Sequence, residues 1–194
     1  ALMEYSKYAR SVCAFEAALA EMSGSTLRSS DAYILPVVVH IMHDGASTGN
    51  GSNISDSQVL SAIDALNADF RGDFGGANVD IGFSLAVRDP EGNPTTGIVR
   101  TDVSDVIPSF SSTGMVTTSN LDPASEMNVK NLSHWPGSDY INVWVLHKLN
   151  GGSSPLGFAY LPPTSGTQMW LPTCGAFVCS LVVTRVSAVW VAHV

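Results

Sequence analysis

The chain has 194 residues, with 9 basic and 17 acidic side chains and a formal net charge of −8 at pH 7. Only 13% of the residues are charged, against about a quarter in typical globular proteins. The low proportion of charged residues and the net negative charge argue against a surface that binds nucleic acid. Low charge combined with 17 glycines and 10 prolines resembles exported proteins more than cytosolic ones, and we expect a secreted or extracellular location.

A membrane-bound chain is not expected either. The one long apolar stretch, residues 175–194, contains Arg185 near its middle, where a cation costs about 2.5–3.5 kcal/mol in a membrane span.

All 17 acidic residues lie at or before Asp139. An active site that depends on carboxylates therefore cannot draw one from the rest of the chain.

The N-terminal segment has the period of an amphipathic helix. Its apolar residues recur at steps of three and four (Tyr8, Val12, Phe15, Leu19, Met22). The polar residues 24–31 that follow are typical of a linker. Residues 1–31 are thus predicted as helix and linker, either a remnant of a pro-segment or the first helix of the main domain.

The main domain begins with a β-α-β pattern. Residues 34–43 (ILPVVVHIMH) form an apolar, β-branched run that predicts a strand covered on both faces. A Gly-rich loop and an S-x-x-Q capping box at Ser55–Gln58 predict a helix over 56–71. Strict alternation over 79–87 predicts the next strand, with Val79 and Val87 at the ends of its apolar face.

Further along, residues 96–101 are expected to be extended and residues 104–125, which show no period, to form a long surface loop. A short helix over 126–132 and an apolar strand over 140–149 follow. The whole pattern predicts an α/β fold with a right-handed β-α-β connection.

Five segments in this order resemble the catalytic domain of pappalysin-family zinc metalloproteases, within the metzincins. The resemblance runs from Tyr33 to Pro163. Its segments are ILPVVVHIMH (34–43), NISDSQVLSAIDALNADFR (53–71), DPEGNPTTGIVR (89–100), MNVKNLSHWPGSDYINVWVLHKLNGG (127–152) and LGFAYLP (156–162).

The resemblance implies a twisted, mixed but mostly parallel sheet with a backing helix. It also implies a zinc ion held by an H-E-x-x-H helix, and an extended peptide or protein as substrate. The 194 residues contain no H-E-x-x-H, and after Pro163 they have no acidic residue and only His193 as a histidine. We therefore assign no catalytic and no metal-binding residue, and expect a fold that is incomplete at its C-terminus and inactive. The alternative is a noncatalytic peptide-binding or structural domain derived from a metzincin.

The tail, residues 168–194, departs from the family pattern in composition. It holds two of the three cysteines and two of the four tryptophans. Three explanations account for this unusual composition: an altered reading frame, a truncation followed by a natural tail, and a pseudoenzyme. The predicted domain boundaries are accordingly 1–31, 32–167 and 168–194.

Substrate contact is predicted at Gly157, Phe158, Ala159 and Tyr160. In metzincins the corresponding segment is an antiparallel edge strand, to which an extended peptide adds as a further strand. In this chain the segment is short and bracketed by Pro155 and Pro162, which favours an edge.

Other motifs carry weaker signals. His40 and His43 lie three apart on one strand, so they point to opposite faces and cannot chelate one ion together. The G-x-S-x-G run at 45–49 follows a strand, but its helix begins too late for a nucleophile elbow. Structural or solvent-exposed roles are expected for His134, His147, Cys13, Cys174, Cys179, Asp44, Asp69, Asp73, Asp80 and Asp89. Asn50, Asn53 and Asn131 begin N-x-S sequons.

Overall fold

The computed structural model describes residues 33–119, 121–152 and 157–159, and the backbone of 180–184. The chain divides into two units, Ala1–Tyr33 and Ile34–Val194. The described helices are α1 (Asp56–Arg71), α2 (Phe110–Thr113) and α3 (Glu126–Asn131). The described strands are β1 (Tyr33–His43), β2 (Ile81–Leu85), β3 (Ile98–Asp102), β4 (Ile141–Leu146), β5 (Gly157–Ala159) and β6 (Ser180–Thr184). The N-terminal helix and linker predicted for residues 1–31 lie outside the described residues.

These strands form one mixed sheet in the order β2-β1-β4-β6-β5, with β3 also paired to β1. The pairs β1–β3, β1–β4 and β4–β6 are parallel, and only β5 is shown antiparallel to its neighbour, β6. The predicted fold class, an α/β domain with a mostly parallel sheet, is confirmed.

β1 is central in this sheet, as its apolar run predicts. Residues Val37 to Met42 are all buried. One side of the strand pairs with β4, while β2 and β3 share the other side. Burial on both faces explains why the run is continuous rather than alternating.

The predicted capping box begins α1. The Ser55 hydroxyl accepts from the Gln58 N–H, and the Gln58 side chain accepts from the Ser55 N–H at 3.0 Å. The helix ends at Gly72, whose φ of 79° is the left-handed conformation that glycine adopts without strain. Val59 of α1 belongs to a buried cluster with Val37, Val39 and Ile41 of β1, so the helix backs this face of the sheet.

The strand predicted over 79–87 is shorter in the structure. β2 spans only Ile81–Leu85, and Val79 and Val87 are 50% and 74% exposed. Asp80 has a φ of +53°, which interrupts extended backbone at the start of the strand. The alternation of apolar and polar residues in the sequence therefore extends beyond the residues that pair in the sheet.

The surface loop predicted for residues 104–125 is wrong. This segment contains α2 and supplies core residues to the second face of the sheet. Its buried side chains include Ile107, Phe110, Met115 and Ala124, and they pack in one cluster with Met42 and Trp144. Non-periodic sequence is buried here because the core on this face is built from a folded-over segment instead of a regular helix.

Part of the C-terminal tail belongs to the sheet. The backbone of residues 180–184 forms β6, which lies between β4 and β5. The boundary predicted at 167/168 stays a prediction, but these five residues contribute a strand to the domain.

Candidate functional site at the sheet edge

β5 is the last strand of the sheet order, and among the described strands none pairs with its outer side. Phe158 packs against the core cluster on the second face, whereas Ala159 is exposed. Side chains alternate along a strand, so the Ala159 side chain points away from the core face. Tyr160, the fourth residue predicted for this site, lies outside the described residues.

One row of the sheet leads from β5 to its centre. The pairing register aligns His40 on β1 with Trp144 on β4, Trp144 with position 182 on β6, and position 182 with Phe158. The His40 and Trp144 rings stack with centroids 4.8 Å apart at 20°. The exposed edge strand is thus in register with a buried aromatic row.

A buried ion pair on α3 contacts this row. Lys130 is 3% exposed, and its Nζ lies 2.5 Å from Glu126 Oε1, one helical turn earlier. The same Nζ is 5.1 Å from the Trp144 ring centroid and 5.4 Å from that of Phe158. The cation is therefore within cation–π distance of both rings. Burial lowers the Lys130 pKa, and the bond and charge of Glu126 oppose that shift.

Asn142 joins β4 to the turn that precedes it. Its Oδ1 accepts from the Trp135 N–H at 2.9 Å, and its Nδ2 donates to the Trp135 carbonyl at 3.0 Å. Oδ1 also lies 2.8 Å from His40 Nε2. A carbonyl oxygen only accepts, so His40 carries its proton on Nε2. Asn142 therefore orients the imidazole as well as the turn.

His40 is held in its neutral form. Burial lowers its pKa from 6.5 to about 4, and the hydrogen bond that it donates to Asn142 opposes this shift only in part. The remaining ring nitrogen, Nδ1, is buried without a hydrogen-bond partner in the part of the chain that the structure describes. This histidine is a structural element of the core, as the sequence predicts.

The zinc implied by the resemblance does not fit the described residues. They contain no group of three or more His, Cys, Asp or Glu side chains able to hold a metal ion. His40 Nε2 is committed to Asn142, His43 Nδ1 lies 3.2 Å from the Gly45 N–H, and His147 Nε2 lies 2.9 Å from the Ser111 carbonyl. We therefore derive no catalytic step through a metal.

The other sequence candidates also have local partners. The run at 45–49 lies in a loop, and α1 begins only at Asp56, so a nucleophile elbow is excluded. Asp44 bonds to Ser52, which lowers the pKa of the Asp44 carboxyl. Asp73 pairs with Arg71, and Asp89 accepts from the backbone of its own turn. All three cysteines lie outside the described residues.

Sequence reasoning missed the contacts of Lys130, Glu126 and Asn142. Two signals were present. Glu126 and Lys130 stand at the i, i+4 spacing that favours an ion pair on a helix. Asn142 is the one amide in the apolar run INVWVL, and a polar residue on a buried strand needs a hydrogen-bond partner.

The mostly parallel sheet, the helix backing one face and the antiparallel edge strand together define a metzincin-like α/β fold. Solved structures of mirolysin, a metzincin-type metalloprotease, are similar to the chain. Mature mirolysin of Tannerella forsythia, in complex with a cleaved peptide, has 31% identity over 80% of this chain with a TM-score of 0.52. Promirolysin of that organism, as the mutant E225A, gives the same identity, coverage and TM-score. Mirolysin in complex with a compound gives 28% identity over 80% of this chain and a TM-score of 0.53.

These matches extend over part of each protein. The chain spans about half of the solved mirolysin chains, 53%, 47% and 53% of their lengths. No model of a known protein family matches the chain, and no curated protein matches it in sequence. The similarity supports a metalloprotease-like domain. No helix among the described residues is long and apolar enough to cross a membrane.

Proposed function

We propose that the chain is part of a secreted zinc metalloendopeptidase domain of the pappalysin type. Residues 157–160 bind an extended peptide at the edge of the sheet. The 194 residues do not hydrolyse peptides by themselves, because the H-E-x-x-H ligands and the general-base Glu are missing from the sequence. Zinc would be held by residues that this chain does not contain.

One observation carries the binding role: β5 is antiparallel to β6 and terminal in the sheet order. Successive residues of such a strand direct their N–H and C=O groups alternately inward and outward. No described strand pairs with the outer side of β5, and its backbone groups there can bond to a peptide that adds as a strand. The exposed Ala159 side chain offers little steric hindrance at this edge. The mirolysin structure with a cleaved peptide is consistent with a peptide ligand for such a fold.

A peptidase assay tests the catalytic part. The purified chain, incubated with added zinc and a mixture of fluorogenic peptides, should give no cleavage above a protein-free control. Cleavage that a chelator abolishes would contradict the proposal, since it would require metal ligands that the sequence lacks.

Two variants test the edge strand. Ala159→Pro removes a backbone donor from β5, and we expect it to weaken binding of an extended peptide in a fluorescence anisotropy titration. Ala159→Val keeps the N–H and should bind like the parent, which separates the donor from the side chain. Both variants should keep the parent's circular dichroism spectrum. Equal binding by all three proteins, or binding by none, would contradict the edge role.

The alternative is a noncatalytic peptide-binding or structural domain, which would have the same edge strand. The two proposals differ in what the coding sequence contains downstream of codon 194. Sequencing the transcript beyond codon 194 in all three frames separates the two. H-E-x-x-H close downstream or out of frame supports the peptidase domain, while a stop codon without it supports the noncatalytic domain.

A further inference from the structure

Asn131 stands beside an exposed apolar groove. It is the last residue of α3 and begins the sequon Asn131-Leu132-Ser133. The groove has a volume of about 300 Å³ and is lined by Val106, Ile107, Pro123, Asn128, Asn131 and Leu132. Val106 is 58% exposed and Leu132 39%. These grouped apolar side chains form a surface against which an apolar face of a ligand can pack.

The Asn131 side chain is free to react. It is exposed and makes no hydrogen bond within the described part of the chain. Asn53, which begins another sequon, is 4% exposed, and its Nδ2 donates to the Ala46 carbonyl at 2.7 Å. Its Oδ1 also accepts from Arg100. A sugar on Asn53 would break the loop that these bonds close, so this sequon is incompatible with the folded domain.

The third sequon lacks the apolar surroundings. Asn50 is exposed, but its Nδ2 donates to Ser47 Oγ at 2.9 Å in a polar loop. Of the three acceptor sequences, only that of Asn131 combines a free, exposed amide with a place in the lining of an apolar groove.

We propose that Asn131 is an N-glycosylation site and that the first sugar of its glycan covers this groove. The proposal rests on the proposed function and on secretion through a eukaryotic pathway, which supplies the sugar donor. The Asn131 amide nitrogen would lose a proton and form a bond to C1 of N-acetylglucosamine. The donor is a lipid-diphosphate-linked oligosaccharide, from which the lipid diphosphate leaves as C1 is transferred.

The chemistry of the sugar matches the groove. N-acetylglucosamine presents axial C–H groups on its ring faces and a methyl on its acetamide, while its hydroxyl groups stand around the ring edge. The former can pack against Val106 and Leu132 while the latter remain in water. Removing apolar area from water is favourable, so the sugar stabilises the folded domain at the surface that it covers.

The test secretes the full chain from yeast behind a host leader peptide. Site-resolved mass spectrometry should find a glycan at Asn131 and none at Asn53. An endoglycosidase that leaves one N-acetylglucosamine on Asn131 should keep the binding of a hydrophobic dye low. An amidase that removes the whole glycan and leaves Asp should increase dye fluorescence. Asn131→Asp, which has the same residue that the amidase leaves, should bind dye to that increased level.

An unmodified Asn131 in the secreted chain would overturn the proposal. So would dye binding that stays the same when the last sugar is removed, because the groove would then be uncovered in either state. Neither readout involves peptide binding or hydrolysis, so failure here is distinct from failure of the proposed function.

Discussion

Replacing Asn142 by alanine should destabilise the domain strongly, because this one buried amide bonds to His40, to both backbone groups of Trp135 and, at 3.4 Å, to the Tyr140 carbonyl. The substitution leaves the Trp135 N–H, the Trp135 carbonyl and His40 Nε2 without their hydrogen bonds. An unsatisfied buried group costs about 1–3 kcal/mol, and water can reach the half-buried Trp135 backbone, so we expect a loss of about 3 kcal/mol. Urea denaturation near neutral pH, followed by tryptophan fluorescence and circular dichroism, measures this loss.

Asn67 provides a matched control. Its side chain also makes a pair of hydrogen bonds to one residue, the N–H and carbonyl of Phe83, at 2.7 and 2.8 Å. It is half-buried and lies in α1, where alanine is favoured over asparagine. Asn67→Ala should therefore cost only about 1 kcal/mol. If the two variants differ by less than about 0.5 kcal/mol, the size of an ordinary surface effect, burial of the Asn142 network is not what stabilises this region.

Three further predictions concern stability. The pKa of His40 falls from 6.5 to about 4 on folding. Between these two pH values the unfolded chain is protonated at His40 and the folded chain is not. The free energy of unfolding should therefore decrease by about 3 kcal/mol as the pH falls from 6.5 to about 4. Urea titrations across this pH range measure the slope; His40→Phe should remove most of it, and an unchanged slope would contradict the assignment. Ser55→Ala should cost about 1 kcal/mol, whereas Ser109→Ala should be nearly neutral because its side chain makes no capping bond; equal urea midpoints would refute the difference. Gly114→Ala should cost about 2 kcal/mol or more, since at φ +65° its Cβ would lie 2.0 Å from a backbone carbonyl oxygen. Gly92→Ala, at φ +87° with open space around it, should cost about 1 kcal/mol, so similar melting temperatures for these two variants would count against the close contact.

Local sequence was sufficient where an element is specified by its own residues. The run 34–43 predicts a strand covered on both faces, and β1 has sheet neighbours on both sides and buried side chains throughout 37–42. The capping box predicts the start of α1 to the residue. In both cases the signal is a short-range pattern that tertiary contacts reinforce.

Contacts between distant segments could not be predicted in this way. His40 and Asn142 are separated by 102 positions, and they meet because β1 and β4 pair in one particular parallel register. The same limitation made residues 104–125 look like a surface loop, since Phe110 and Met115 are buried by the sheet rather than by a local period. At the edge site, the resemblance predicted the position of β5 and the bracketing prolines favoured an edge, but no pattern joined Lys130 to Phe158.

The position of β6 has a consequence for how the domain is made. β6 is the last described strand in chain order, yet it lies between β4 and β5. During synthesis β4 leaves the ribosome before residues 180–184 exist, so one side of the apolar strand INVWVL has no β6 to pair with. An open apolar strand edge is a template for aggregation, and non-local parallel pairing forms slowly. The yield of soluble protein should therefore depend on how long the edge of β4 stays unpaired. A low expression temperature, which slows aggregation, should raise this yield more than an increase in the stability of the folded domain.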